Sequence, residues 1–158
     1  MAIDRTVATA RIQALLEGIT SPSFVDVFQG EPLGLPPGGP YACWWYTGDQ
    51  DAEVGRQTLG NVMVDEVFRI AVFWPRVVER TVLPSQEADI WAVSRKVQTA
   101  FIGDSTLNDT ATSGVTSLEI RTRGVDFGAF PLDPRPQIYR VLEFELRLED
   151  LNAESVAA

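Results

Sequence analysis

The chain has 158 residues and a mass of 17.4 kDa, the size of one independently folding unit. At 45% hydrophobic and 22% charged residues it has an ordinary globular composition and enough length to build a core without metal or disulfide. Three counts exclude much of the common chemistry. There is no histidine, which removes Ser-His-Asp and Cys-His nucleophile systems, histidine metal sites and the usual near-neutral general base. The single cysteine, Cys43, permits neither an intramolecular disulfide nor a multi-cysteine metal site. The formal charge is −9, from 22 acidic and 13 basic residues, a poor match for the phosphate backbone of nucleic acid. No apolar run approaches the ~18 residues of a membrane span, and the opening MAIDRTVATARIQ lacks the apolar stretch of a signal peptide. Neither secretion nor membrane insertion is expected.

Residues 4–19 are predicted to form an amphipathic helix, with Val7, Ala8, Ile12, Leu15, Leu16 and Ile19 at helical spacing and Asp4 as its N-cap. Residues 24–28 alternate as a strand. The segment 30–40, GEPLGLPPGGP, has glycine or proline at five of its last six positions and is expected to be a shaped, extended loop. Residues 41–47, YACWWYT, read as an aromatic strand, and 48–60 as a polar, acidic connection. Residues 61–74 are the clearest strand: Val62, Val64, Phe68, Ile70, Val72 and Trp74 share a face interrupted by Glu66, and Pro75 stops the ladder.

A second helix is expected from Pro84 and Ser85 through about Phe101, with Ser85 capping it and Ile90, Trp91, Val97 and Phe101 along its buried stripe. Residues 103–114 read as a polar loop. Strands follow at 115–127, with Leu118 and Ile120 inward, and at 137–149. The latter sets Ile138, Leu142, Phe144, Leu146 and Leu148 against Tyr139, Glu143, Glu145, Arg147 and Glu149. The proline-fixed loop FGAFPLDPRP joins this pair, and the last seven residues, NAESVAA, are expected to fray. The predicted order is α-β-β-β-α-β-β: one α+β domain, with a mostly antiparallel sheet carrying both helices on one face.

Few residues suggest chemistry. The stretch containing Asp49, Asp51 and Glu53 invites a calcium reading, but Val54 and Gly60 stand where an EF-hand loop needs glycine and glutamate. Asp65 and Glu66 are strand neighbours and face opposite sides, so they cannot act as a pair; an arginine ion pair for Glu66 is the expectation. There is no phosphate-binding loop or dinucleotide fingerprint, and the sequon at Asn108 is read as chance. Cys43 has no histidine or lysine cluster to activate it and is read as a buried structural thiol. Twelve of the thirteen basic residues are arginine, which favours bidentate pairing at protein interfaces. No catalytic, cofactor or metal residue is assigned.

The aromatic strand is different. Trp44 and Trp45 must point to opposite faces of the sheet, and the helices can cover one of them. The other faces a partner or lies beneath the 30–40 loop; the interface is the preferred reading. Candidate interface residues are Phe28, Pro32, Leu35, Trp44, Trp45, Tyr46, Asp49, Asp51, Glu53, Arg56, Phe130 and Arg135.

A short N-terminal helix, an FxGxP-like turn at Phe28, Gly30 and Pro32, three strands, a helix and a final long strand pair resemble the tail terminator proteins of long-tailed bacteriophages. The resemblance spans roughly residues 4–150 and rests on architecture. It implies a non-enzymatic virion protein of the tail–neck junction, assembled in the host cytoplasm. Such a protein forms a hexameric ring on the tail tube protein, ends tube growth and meets the head–tail connector or stopper protein. DNA would pass through without specific binding, which an acidic lining favours. A head-closure or connector-adaptor protein of the neck is the neighbouring alternative. A small metal-assisted hydrolase using Asp49, Asp51, Glu53 or Glu66 is the alternative of another class.

Overall fold

The computed structural model describes residues 3–31, 40–48, 57–58, 61–75, 84–129 and 138–155. Helix α1 (Arg5–Glu17) starts where Asp4 Oδ1 accepts the amides of Thr6 and Val7, at 3.0 and 3.2 Å. That cap satisfies donors a helix start would otherwise leave open, about 1 kcal/mol of stabilisation. Ala8, Ile12 and Leu16 recur on one stripe and are fully buried. Strand β1 is shorter than expected, Val27–Gln29. Phe24 precedes it and packs on the helix side, whereas Phe28 faces the other way.

Strands β2 (Tyr41–Gly48) and β4 (Asn61–Pro75) pair antiparallel, and β4 ends at the predicted proline. A two-residue strand β3 (Gln57–Thr58) lies inside the connection read as irregular and pairs with the start of β4. Helix α2 spans Pro84–Ile102, so Ser85 lies within its first turn instead of capping it. A one-turn helix α3 (Thr110–Ser113) occupies the predicted polar loop, and Leu107 beside it is fully buried. Asp109 caps α3, while the Asp4 amide donates to Ser113 O at 2.8 Å and ties it to α1. Strands β5 (Ser117–Ala129) and β6 (Ile138–Ser155) complete the sheet. β6 continues through most of the tail expected to fray, because Asn61 and Met63 of β4 supply its ladder opposite Ser155 and Leu151.

The strand order is β1-β2-β4-β6-β5, with β3 beside β4; β1 and β2 are parallel and the other pairs antiparallel. This is the expected α+β, single-sheet architecture, with α1 and α2 on one face. Alternate residues of the central strands build the core beneath the helices: Phe68, Ile70, Val72 and Trp74 from β4, and Leu142, Phe144, Leu146 and Leu148 from β6. They meet Ile12 and Leu16 of α1 and Val93, Val97 and Phe101 of α2.

In β5, Leu118 and Ile120 are half-buried against that core. A bulge then makes Arg123 the extra residue between Thr122, opposite Phe144, and Gly124, opposite Glu143. Gly124 adopts φ +140, which side chains rarely tolerate, and the shift turns Val125 to the helix side. At the opposite edge the peptide groups of Val27, the first residue of β1, are occupied. The Val27 amide donates to Asp26 Oδ1 at 2.8 Å, and Val27 O accepts from Gln13 Nε2 at 3.0 Å.

Candidate functional site

The alternation of β2 divides the aromatic cluster as the sequence requires, but it reverses the role of one tryptophan. Trp44 points beneath α1 and is 2% exposed, with its ring 6.3 Å from that of Phe68. Its Nε1 donates to Gln13 Oε1 at 2.6 Å. A buried indole N–H needs such a partner, and one turn of α1 supplies it. Trp44 is therefore a core anchor, and only its edge reaches the surface.

Tyr46, on the same side of β2, reaches the rim of the core. Its ring packs on Phe68 at 5.3 Å, and the Arg5 guanidinium lies 5.0 Å from its centroid. Arg5 also donates from Nε and Nη2 to Glu66 Oε1, at 3.2 and 3.1 Å. This is the ion pair expected for the carboxylate that interrupts the apolar row of β4. Glu66 Oε2 is buried and takes no hydrogen bond among the described residues.

The other face of the sheet is divided. On β1, β2, the end of β4 and the start of β6, Tyr41, Cys43, Ala71, Phe73 and Val141 form a second apolar cluster flanked by half-buried Phe28, Trp45 and Tyr139. Phe28 stacks on Tyr41 at 6.0 Å, and Tyr139 meets Phe73 edge-on at 5.1 Å. Burial, with the nearby Asp26 charge, pushes the Cys43 thiol up to about 12. It is thus neutral and unreactive, the structural thiol that was expected. Burial likewise raises the Tyr139 phenol, helped by Glu143 and Glu31.

Further along β5 and β6 the same face turns ionic. Arg69 opposes Glu145, which opposes Arg121, and Arg147 opposes Glu119. Glu119 accepts from Arg121 at 2.5 Å, and Glu145 from Arg147 at 3.4 Å. These ion pairs join neighbours two residues apart on one strand, opposite charges also stand across from one another in register, and the pattern positions no group for acid–base work.

Of the predicted interface residues, Phe28, Trp45 and Tyr46 lie at the surface or half-buried. Pro32, Leu35, Asp49, Asp51, Glu53, Arg56, Phe130 and Arg135 lie outside the described residues. Among the described residues no three His, Cys, Asp or Glu side chains converge as metal ligands. No helix there is long and apolar enough to cross a membrane.

Among the described residues, the largest exposed apolar side chain is one that the sequence assigns to the core. Trp91 of α2 is 73% exposed, with Ile102 and Val25 at 66% and 61%. The buried residues of α2 are Ile90, Val93, Val97 and Phe101, spaced three or four apart. Trp91 stands about 100° round the helix from Ile90 and cannot share that stripe. The phase of the apolar residues contained the signal; the size of the indole drew it inward. No protein-family model matches the chain, and comparison with curated proteins gives no match.

Proposed function

We propose that this chain is a structural virion protein of the tail-terminator type. In that role it associates with copies of itself as a ring, caps the tail tube and meets the head connector. The carrying observation is the placement of Trp91: a rigid aromatic held out to solvent on a well-packed helix, while the described carboxylates are ion-paired or dispersed. A large exposed indole is the residue type on which protein contacts concentrate their binding energy.

The element order supports the same reading, since the short β3 and α3 are additions to the α-β-β-β-α-β-β order that carries the resemblance. The net charge of −9 suits a subunit past which DNA moves without sticking. The test is electron microscopy of particles assembled with and without the chain. Its omission is expected to give tubes of unregulated length and heads without tails. Complete virions lacking the chain would overturn the proposal. Capture by tube protein, and not by portal-side proteins, separates a terminator from a head-closure protein.

A further inference from the structure

The two helices lie over opposite edges of the sheet, and their outer surfaces are unlike. On the β5 side, Glu87 pairs with Arg140, which stands opposite Phe127, and Gln98 Nε2 donates to Thr122 Oγ1 at 2.5 Å. These two contacts show α2 running antiparallel to β5, so that Trp91 lies level with the strand between Thr122 and Phe127. Val125, also exposed, is in that interval. Arg95, one turn beyond Trp91, is an exposed cation on this flank, and Arg123 stands exposed at the bulge of the edge strand; Glu87, held by Arg140, Asp89 and Asp126 are the acidic residues.

On the β1 side, two adjoining clefts of about 510 and 380 Å³ run between α1 and the end of β1. Both are walled by Thr6 and Thr9 of α1 and by Gln29, with Trp44 at the base; Ala10 and Gln13 line the larger one. The surround is acidic. Glu17 lies one turn beyond Gln13, and Asp26 and Glu31 bracket β1; all three are exposed. Arg5 at the far end is already engaged by Glu66.

Resting on the ring reading above, we propose that Trp91 of one copy seats in the α1–β1 cleft of the next. Arg95 and Arg123 then face Glu17, Asp26 and Glu31. The knob and its receptacle are different patches at opposite edges of one chain. Such a contact is head-to-tail: it leaves one knob and one cleft open at every stage and closes only as a ring. An aromatic anchor in a pocket rimmed by complementary charge is the arrangement that concentrates affinity and fixes register.

The test uses the full chain in sedimentation velocity over a concentration series, alone and with tail tube protein. Trp91→Ala removes the knob and Ala10→Arg fills the cleft; both positions are exposed, and circular dichroism checks that each variant is folded. Each substitution is expected to raise the concentration needed for association by about tenfold or more. Mixed together, the two variants retain one intact cleft and one intact knob, and are expected to form a heterodimer that grows no further. Arg95→Glu or Glu17→Arg alone should weaken association, and the double swap should recover part of it. Wild-type association matched by both Trp91→Ala and Ala10→Arg would overturn this contact and leave the ring standing. A wild-type chain that stays monomeric, even with tube protein, would overturn both.

Discussion

The two faces of the sheet are built on opposite rules. Beneath α1 and α2, every second residue from Phe68 to Trp74 of β4 and from Leu142 to Leu148 of β6 joins an apolar layer, bordered by Glu66, held by Arg5, and by Arg140, paired with Glu87. On the reverse face an aromatic cluster around Cys43 and Ala71 gives way along β5 and β6 to alternating arginine and glutamate. The first face owes its stability to volume filled against helices. The second owes it to local pairs, ring against ring and charge against charge. The contrast teaches that one strand can serve a rigid core and a chemically varied surface at once, because its side chains alternate.

Substitutions on the two faces test that contrast most strongly. Phe144→Ala empties a fully buried site beneath the helices and should cost about 3–5 kcal/mol in urea unfolding. Trp45→Ala, on a half-buried ring of the other face, should cost about half as much; equal losses would erase the distinction. Arg5→Ala leaves Glu66 in the apolar layer without its cation and should cost about 1–3 kcal/mol, with Glu66→Leu in the same chain recovering most of it. A silent Arg5→Ala would mean that the carboxylate needs no partner. Asp4→Ala, at the cap of the helix-bearing side, should lower stability by about 1 kcal/mol, read as a fall in Tm of about 2–4 °C.

The smallest effect at neutral pH belongs to the reverse face. Cys43 should resist thiol reagents in the folded chain and react on unfolding. Its folded pKa of about 12 lies above the ordinary 9.0, so the neutral thiol contributes fully below pH 9 and is lost as pH climbs toward 12. Cys43→Ala should therefore be nearly neutral at pH 7 and flatten the alkaline decline in stability. An unchanged decline would show that Cys43 is not its source.

Much of the covered face was legible from periodicity alone. Phe68, Ile70, Val72 and Trp74, and likewise Leu142 to Leu148, are unambiguous at a spacing of two, and Asp4 announces its helix. What escaped depended on partners distant in sequence. Which of Trp44 and Trp45 the helices cover stays open until Gln13, 31 residues from Trp44, meets its N–H. Residues 152–155 read as a loose end until β4 supplies their ladder. Leu107 is one apolar residue in a polar run, too little to create a period, yet it fills a gap beside α3. Trp91 has the bulk of a core residue but the helical phase of a surface one, and the phase decides. In the candidate site, alternation identified which rings share a face of β2, but the depth of each ring follows from what α1 and β4 place over it.

The sealing of Val27 carries a consequence for production in the cell. During synthesis copies of a chain meet at high local concentration, and bare strand margins invite amyloid-like stacking. With the β1 margin only three residues long and the peptide groups of its first residue, Val27, occupied by Asp26 and Gln13, that route is narrowed from this side.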